Sequence, residues 1–436
     1  MRILEWKSLS AAQRTRELER PAQRDAPAVR AAARDIIDAV RRGGDAAVAA
    51  LTRQFDHVEL AASRVTAQEF DAAERALDAA QIAALERAIS NVRRFHAAQA
   101  QPRLRIETEP GVMCERFAVP IRAVGLYVPA GVAPLPSTAV MLAVPAAIAA
   151  CPIRVLCTPP ARSGAADSAI LVAARKAGIE QVFKIGGAQA IAAMAYGTAS
   201  VPKCDKIFGP GNAWVTAAKL LVSQDPGGAA SDLPAGVTEV LVIADESASA
   251  EFVAADLLAQ AEHSPEAQAL LITPCAPLAE AVAKQLQSQM GVLSRKGILA
   301  ESVAHIRLVI VADLETAFAI ANDYAPEHLL LEIREPREWL GEVRAAGAVF
   351  LGHWSPESMG DYCSGPNHTL PTYGYAKAHS GLSLEDFQKR ITVQELTPAG
   401  LSGLGPTART LANLEGLDAH AAAVAVRLAA LQEAAR

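Results

Sequence analysis

The sequence reads Gln181-Val182-Phe183-Lys184-Ile185-Gly186-Gly187-Ala188-Gln189-Ala190 where a short β-rich run passes through two glycines into an alanine-rich helix. This passage from strand to helix recurs in two series along the chain. The first series contains the β-rich runs Val124–Val128, Arg154–Cys157, Gln181–Ile185 and Lys206–Phe208. The second contains Glu239–Ala244, Ala269–Ile272, Arg307–Val311, Leu329–Ile333 and Ala348–Leu351. Strands that alternate with helices form βαβ units, so the pattern predicts an α/β protein with two parallel-sheet domains.

Helices are predicted on either side of the two series. Residues from about Ala28 to Ala100 form long alanine, arginine and glutamate stretches with apolar residues three and four positions apart. After about Leu382 the alternation stops, and a helix-rich tail runs from Ala419 to Arg436. This tail is apolar enough to dock on another surface, and a partner subunit is one option.

Composition and charge exclude several classes of function. A chain of 436 residues exceeds what one core usually serves, so two or more domains are expected. The formal net charge of −6 gives no electrostatic reason to bind nucleic acid or an anionic membrane. No apolar run approaches the ~18 residues of a membrane span, and the N-terminus lacks the layout of a secretion signal. We therefore expect a cytoplasmic protein.

Glycine-containing turns follow three of the predicted strands, at Gly186-Gly187, at Gly209-Pro210-Gly211-Asn212 and at Pro129-Ala130-Gly131. Glycine lets backbone N–H groups approach a phosphate, and a helix N-terminus adds partial positive charge. Each turn alone is also compatible with an ordinary strand-to-helix connection, because none is GxGxxG. Together, at the carboxyl ends of strands in one sheet, they predict a crevice for an unspecified nucleotide or phosphate.

Metal-binding and acid–base residues must come from histidine and carboxylate side chains. The six cysteines are scattered without a CxxC pair, which argues against a disulfide framework and a thiolate zinc site. Gln260 and His263 are three positions apart on a predicted helix and share one face. Glu327 and His328 follow Pro326, and only an irregular turn would direct both side chains to one site. Taken alone, His263 is better explained as an ordinary surface or core histidine, and Glu327 and His328 as solvated residues of an exposed turn.

Two further polar segments are candidates for the same chemistry. Gly360–His368 is dense in turn formers and polar side chains, which is typical of functional loops and of plain turns alike. Near the end, Gly416 is predicted to stop one helix and Asp418 to begin the next. His420 would then lie in the first turn, where the helix dipole favours a neutral imidazole that can bind a metal.

Taken together, these segments resemble those of the histidinol dehydrogenase family, and the resemblance covers nearly the whole chain. Its most specific parts are Leu257–His263, Tyr324–Leu329, Gly360–Pro371 and Glu415–His420. The resemblance implies one zinc ion per subunit, held by Gln260, His263, Asp361 and His420. It implies the acid–base residues Glu327 and His328, and NAD contacts at Tyr127, Gln189 and Asn212. The substrate contacts that it implies are Thr238, Gln260, His263, His328, Asp361, His368, Glu415 and His420.

The resemblance also implies a fold of two incomplete Rossmann-like parallel-sheet domains with small N-terminal and C-terminal helical segments. Residues 1–26 would form the N-terminal helical segment. Residues 27–125 with 239–381 would form the first Rossmann-like domain, which carries the metal and acid–base residues. Residues 126–238 would form the second, NAD-binding domain, and residues 382–436 a C-terminal segment that completes a dimer.

The implied activity is the four-electron oxidation of L-histidinol to L-histidine through L-histidinaldehyde with two NAD⁺, the last steps of histidine biosynthesis. The implied partner is a second copy of the chain, in a homodimer with shared active sites. One departure is Ala235-Gly236-Val237-Thr238-Glu239, where the family usually has Ala-Gly-Pro-Ser-Glu. Threonine keeps the hydroxyl, whereas loss of the proline loosens the turn.

Two other readings stay open. A paralogous zinc-binding, NAD-dependent dehydrogenase of another polar alcohol would use much of the same machinery. A metallohydrolase with Glu327 as its base would be active without NAD.

Overall fold

The structure, a computed structural model, describes residues 1–20, 26–130, 133–234 and 236–434. Gly131 and Ala235, which belong to predicted turns, lie outside the described residues, as do residues 21–25 and 435–436 of the predicted terminal segments. The chain divides into two compact units. The first contains Met1–Ala98 and Ile121–Phe387, and the second contains Gln99–Pro120 and Gln388–Arg436.

The helices are α1 (Ala11–Glu17), α2 (Ala26–Phe55), α3 (Ala67–Ala76), α4 (Ala79–Ala97), α5 (Pro136–Ile148), α6 (Ser168–Lys176), α7 (Gly187–Tyr196), α8 (Ala213–Ser223), α9 (Ala250–Ala261), α10 (Ala276–Met290), α11 (Lys296–Ser302), α12 (Leu314–Tyr324), α13 (Glu357–Tyr362), α14 (Pro398–Leu414) and α15 (Asp418–Ala434). The strands are β1 (Arg2–Glu5), β2 (Leu104–Glu109), β3 (Val112–Pro120), β4 (Ala123–Tyr127), β5 (Ile153–Thr158), β6 (Gln181–Lys184), β7 (Lys206–Phe208), β8 (Ala230–Ser231), β9 (Glu239–Ala244), β10 (Gln268–Thr273), β11 (Ile306–Ile310), β12 (His328–Glu332), β13 (Ala348–Leu351) and β14 (Gln388–Leu396). Within the described ranges, no helix combines the length and the apolar character needed to cross a membrane.

A six-stranded sheet in the first unit is parallel throughout, with the strand order β1-β11-β10-β9-β12-β13. Helices α9, α10 and α11 pack on one face, and α12 packs on the other. Every residue of the central strand β9 is buried. A strand covered on both faces needs a continuous apolar run, which explains the sequence of β9 after Glu239.

A five-stranded sheet in the same unit is also parallel, with the order β6-β5-β4-β7-β8. The order reverses at β4, which has β5 on one side and β7 on the other. Helices α3, α4, α5 and α6 share one core with this sheet, and α2, α7 and α8 share the other. The two helix-covered parallel sheets confirm the predicted α/β fold class.

Helices α2, α3 and α4 pack on a different sheet from the one with which the predicted domain division groups them. That division groups residues 27–125 with residues 239–381, whose strands belong to the six-stranded sheet. In the structure, Ile36 of α2 shares a core with Phe183 of the five-stranded sheet, and Phe70 of α3 shares a core with Leu126. An amphipathic pattern shows which helix face is buried but not which sheet covers it, so the sequence could not indicate this packing. The predicted domain boundaries stay a prediction.

The second unit contains an antiparallel sheet, β14-β3-β2, together with α14 and α15. Strand β14 pairs with β3 from Gln388↔Pro120 to Leu396↔Val112. The predicted tail helix corresponds to α15. The sheet was not predicted, because every side chain of β2 is exposed and the strand shows no alternation of buried and exposed residues.

The six cysteines are free thiols, as their scatter predicted. Burial raises the pKa of Cys204 to about 12 and that of Cys151 to about 11. Thiols that ionise so reluctantly are poor nucleophiles and poor metal ligands. Cys151 and Cys204 are therefore unsuited to be the reactive groups of a site.

Candidate active site and metal centre

An irregular turn, Ala325-Pro326-Glu327, joins α12 to β12. Ala325 has a φ of +52°, and its N–H donates to the Ala321 carbonyl at 2.7 Å, which closes the last turn of α12. After the turn, His328 begins β12. The side chains of Glu327 and His328 are both buried, and Glu327 Oε2 lies 3.7 Å from His328 Nδ1. The turn thus brings two proton acceptors to one place, which a regular strand would not do.

These residues lie at the N-terminal edge of the six-stranded sheet. His328, the first residue of β12, pairs in register with Val240 of β9. Thr238 immediately precedes β9, and Gln260 and His263 lie at the C-terminal end of α9. Ligands of open α/β sheets usually bind at the opposite edge, beyond the carboxyl ends of the strands. This cluster lies instead at the N-terminal edge, and its side chains come from turns and helix ends next to that edge.

Glu327 is held by two donors from one short segment. The Thr238 hydroxyl donates to Glu327 Oε2 at 2.6 Å, and the Glu239 N–H donates to the same oxygen at 3.0 Å. Burial raises the pKa of Glu327 to about 7, against the opposing effects of His328 and of these hydrogen bonds. A carboxyl group that titrates near neutrality is suited to act as a general base.

His328 is surrounded by carboxylates. Its Nδ1 lies 3.7 Å from Glu357 Oε1 and 3.2 Å from the carbonyl oxygen of Glu239, and its Nε2 lies 3.5 Å from Asp361 Oδ1. Burial lowers the pKa of His328, but Glu357, Glu327 and Asp361 outweigh that effect and raise it to about 10. The proton affinity of this imidazole thus depends on the charge that its carboxylate neighbours carry.

Three potential metal ligands meet beside His328. His263, Glu357 and Asp361 have ligand atoms that all lie within 4.8 Å of one another. Glu357 and Asp361 are four positions apart on α13, which places them on the same helix face. Burial raises the pKa of Glu357 well above its ordinary value, so its charge is unfavourable without a cation nearby. One imidazole and two carboxylates form a donor set that suits zinc and other divalent cations.

Gln260 is fully buried against this cluster. Its amide is satisfied when the oxygen accepts from the Glu239 N–H at 2.9 Å and the nitrogen donates to Glu357 Oε2 at 3.0 Å. The hydroxyl of Thr238 contacts the same amide oxygen. Gln260 therefore links Glu357 of the metal cluster to the segment that holds Glu327.

His368 lies near the same carboxylates. Burial lowers the pKa of His368, while the charge of Asp361 acts in the opposite direction. Within the described part of the chain, its buried Nε2 has no hydrogen-bond partner. The preceding Asn367 is fixed, because its side chain donates to the Met141 carbonyl at 2.7 Å and accepts from the Thr369 N–H at 3.0 Å. A ligand that offers a polar hydrogen or a lone pair to His368 would satisfy this nitrogen.

Glu415 and His420 belong to the second compact unit, whereas the other predicted metal, substrate and acid–base residues belong to the first. Glu415 follows α14, Gly416 has a φ of +71°, and α15 begins at Asp418. His420 lies in the first turn of α15, and the side chains of both Glu415 and His420 are exposed. The predicted local geometry is thus present in the second unit.

A cavity of about 590 Å³ opens beside the cluster, and His263 and Arg295 form part of its wall. Its other lining residues include Tyr127, Gln189 and Asn212, the three predicted nucleotide contacts. The Tyr127 hydroxyl accepts from the Gly187 N–H at 3.0 Å. The Asn212 side chain accepts from the Trp214 and Val215 N–H groups, both at 3.1 Å, and thereby caps α8. The cavity has the size and the helix N-termini of a nucleotide-binding site.

The turn after β7 borders this cavity, and its first residue must be glycine. Gly209 has a φ of +119°, and a Cβ at this position would collide with the carbonyl oxygen of Tyr127. The ends of β4 and β7 therefore approach each other closely at the point where the strand order reverses. Such a point is where a crevice forms in doubly wound sheets.

Three residues with evident roles in this region were not predicted. The spacing of four between Glu357 and Asp361 was the available signal for Glu357. Asp56, which lines the cavity, follows a long helix and has no motif around it. Arg20 donates to both carboxylate oxygens of Glu239 at 2.7 Å and to the Tyr324 carbonyl at 2.7 Å. Its guanidinium also lies 3.9 Å from the centroid of the Tyr324 ring.

Comparisons with known proteins match nearly the whole chain to one family. A family model described as histidinol dehydrogenase matches residues 18–428. A histidinol dehydrogenase of Xanthomonas euvesicatoria pv. vesicatoria is 53% identical over 428 residues, which cover 98% of this chain and 99% of the relative. A histidinol dehydrogenase of Vibrio cholerae serotype O1 is 52% identical over 434 residues and covers 100% of both chains. The crystal structure of histidinol dehydrogenase from Elizabethkingia anophelis matches with a TM-score of 0.94 at 42% identity, over 99% of this chain and 98% of that one.

Removing the Arg20 guanidinium should destabilise the protein. Arg20→Met leaves the buried carboxylate of Glu239 without its cation, for which we expect a loss of about 3–5 kcal/mol in the free energy of unfolding. Urea unfolding followed by circular dichroism measures this loss. The matched control is Arg334→Met, because Arg334 forms an exposed ion pair with Glu246 and should change stability by less than about 0.5 kcal/mol. An Arg20→Met midpoint equal to that of the control would contradict the argument.

Proposed function

The chain belongs to the histidinol dehydrogenase family, and on that premise we propose that it oxidises L-histidinol to L-histidine through L-histidinaldehyde, with zinc and two molecules of NAD⁺. The observation that carries this proposal is a single cavity. Its wall contains His263 of the metal cluster and the nucleotide-type turns at Gly187 and Asn212. A dehydrogenase needs its hydride acceptor and its substrate-holding group beside one another.

The proposed zinc ligands in this chain are Gln260, His263 and Asp361, with His420 supplied by a second copy. The donor set supports this proposal, because His263 and Asp361 belong to the cluster that can hold a divalent cation. Glu357 is a further candidate ligand or a partner for Gln260, to which it is hydrogen-bonded. The proposed substrate contacts are these ligands together with Thr238, His328, His368 and Glu415.

The proposed NAD⁺ contacts are Tyr127, Gln189 and Asn212. They line one cavity at the carboxyl ends of the five-stranded sheet, next to the N-termini of α7 and α8. Backbone N–H groups at those helix ends favour a diphosphate. When bound, zinc would orient the substrate nitrogens as a Lewis acid, and NAD⁺ would accept one hydride in each oxidation.

The acid–base work is assigned to two residues. His328 removes the hydroxyl proton in the alcohol step, releases that proton to water, and then accepts a further proton in the aldehyde step. Glu327 deprotonates the water that adds to the aldehyde, and Thr238 and the Glu239 N–H hold its carboxylate in position. The pKa of about 7 that burial gives Glu327 supports a role as base near neutral pH.

The charges around His328 support its proposed role as the base that removes the hydroxyl proton. Glu357 and Asp361 raise the pKa of His328 through their negative charge. When a cation engages these carboxylates, their effect on His328 falls and the neutral imidazole is favoured. A base that is neutral only when the metal site is filled would couple proton removal to a complete site.

The proposed unit of activity is a homodimer in the cytoplasm. Glu415 and His420 lie on the exposed surface of the second compact unit, where they are available to another subunit. In the proposed arrangement, they complete the active site of the second copy. The reaction would form the last steps of histidine biosynthesis.

Two molecules of NADH should form for each L-histidinol consumed. We expect this ratio with limiting L-histidinol and excess NAD⁺, measured by absorbance at completion of the reaction. Dialysis against a chelator should remove the activity, and Zn²⁺ should restore it. A ratio of one, or faster turnover of another polar alcohol, would favour a paralogous dehydrogenase, and turnover without NAD⁺ would favour a hydrolase.

Glu327 and His328 should affect different steps. Glu327→Gln should slow oxidation of L-histidinaldehyde by about 10²–10⁴-fold and leave the alcohol step largely intact, whereas His328→Asn should slow both steps. Separate stopped-flow assays started from alcohol and from aldehyde measure the two rates. The exposed Glu338→Gln and His379→Asn serve as matched controls. Equal losses in both assays for Glu327→Gln would refute this assignment.

Mixing two inactive variants should restore activity if the subunits share their sites. A heterodimer of His328→Asn and His420→Asn chains has one site with both wild-type residues only when His420 acts in the neighbouring subunit. Random mixing after mild dissociation should then give about a quarter of the wild-type activity. Verified heterodimers without activity would show that His420 acts within its own chain.

A further inference from the structure

Asp56 is a half-buried acceptor in the wall of the cavity. It follows the last residue of α2, and its N–H donates to the Thr52 carbonyl at 2.9 Å. Its Oδ2 is buried and has no hydrogen-bond partner among residues 1–20, 26–130, 133–234 and 236–434. A buried carboxylate oxygen without a donor is unfavourable, so its position needs an explanation other than stability.

Two further features make the negative charge of Asp56 unfavourable when no ligand is bound. Burial raises its pKa to about 6, and the neighbouring His57 acts in the opposite direction. Asp56 also lies at the C-terminal end of α2, where the helix dipole disfavours a negative charge. A ligand that donates hydrogen bonds into the cavity would compensate both effects.

The position of Asp56 relative to the strands indicates which part of a nucleotide it would meet. A Cβ on Gly186 would lie 3.4 Å from Asp56 Oδ1 and 2.7 Å from the Cβ of Pro159. Asp56 therefore lies where β5 and β6 end, beside the central strand β4. In dinucleotide-binding sheets, the acid that accepts the ribose hydroxyls lies at the end of the strand next to the first one. Here β5 is followed by Pro159-Pro160, without an acid. Asp56, which follows α2, supplies a carboxylate at the corresponding position.

We propose that Asp56 accepts hydrogen bonds from the adenosine ribose of NAD⁺ and excludes NADP⁺, whose 2′-phosphate would place a second negative charge beside it. This inference rests on the proposed use of NAD⁺. Among the described residues that line the cavity, Asp56 is the sole carboxylate. The lining bases, the Arg295 guanidinium and the His263 imidazole, belong to elements around the six-stranded sheet, not to the ends of β5 and β6. The ribose end of the cavity therefore repels a phosphate.

The test compares wild-type protein with Asp56→Asn and Asp56→Ala. Calorimetric titration gives the Kd values of NAD⁺, NADP⁺ and 2′-deoxyadenosine NAD⁺ for the full chain. Wild-type protein should bind NAD⁺ at least tenfold more tightly than either analogue. Asp56→Ala should bind NAD⁺ and the deoxy analogue equally, and Asp56→Asn should bind NADP⁺ more tightly than wild type does. Glu59→Gln, an exposed acid three residues away, should behave as wild type.

Stability distinguishes a ligand-binding role from a structural one. Removal of an unpaired buried charge should leave the melting temperature of Asp56→Asn unchanged or higher, whereas a structural carboxylate would lower it. An unchanged ratio of NAD⁺ to NADP⁺ affinity in Asp56→Asn, while wild-type protein still reduces NAD⁺ with L-histidinol, overturns this inference alone. Wild-type protein that binds neither nucleotide overturns the proposed use of NAD⁺ as well.

Discussion

The rest of the site depends on Glu239, the first residue of β9. Its backbone N–H faces both the Glu327 carboxylate, at 3.0 Å, and the amide oxygen of Gln260, at 2.9 Å. Its carboxylate accepts from Arg20 and from the Tyr373 N–H. One residue thus joins the acid–base pair, the metal cluster and the N-terminal segment. Because it begins a strand that is buried on both faces, it cannot shift without moving the centre of the sheet.

The two sheets present opposite edges to one functional region. The cavity lies at the carboxyl ends of the five-stranded sheet, where the usual rule for α/β proteins places a ligand. The metal and acid–base cluster lies at the N-terminal edge of the six-stranded sheet, where few ligands bind. His263 belongs to both regions, since it is part of the cluster and of the cavity wall. The proposed chemistry therefore uses both sheets of one compact unit, although each sheet has its own cores.

The sequence predicted those features that depend on neighbouring residues. The strands and the glycine turns follow from local periodicity and turn chemistry, so the α/β class and the position of Gly187 and Asn212 could be predicted. The turn at Ala325 could be anticipated, because Glu327 and His328 share a site only if the strand begins irregularly. The resemblance, and not the residues alone, supplied the roles of Gln260 and the other candidate ligands.

The missed features depend on contacts between distant parts of the chain. Glu357, Asp56 and Arg20 acquire their surroundings from elements far away in sequence, and no local pattern distinguishes them from other charged residues. The packing of α2, α3 and α4 on the five-stranded sheet could not be predicted for the same reason, since either sheet could cover their apolar faces. The antiparallel sheet escaped prediction because its outer strand β2 is polar enough to resemble a loop.

The contact between Arg20 and its partners also has a consequence for folding of the chain during translation. Arg20 is separated from Glu239 by 219 residues and from Tyr324 by 304. At typical rates of translation, the ribosome needs on the order of tens of seconds to make the intervening chain. During that time the five-stranded sheet and its helices can fold, while the N-terminal segment has no partner. The part of the candidate site that Glu239 holds in place is therefore completed late, after nearly the whole first unit has left the ribosome.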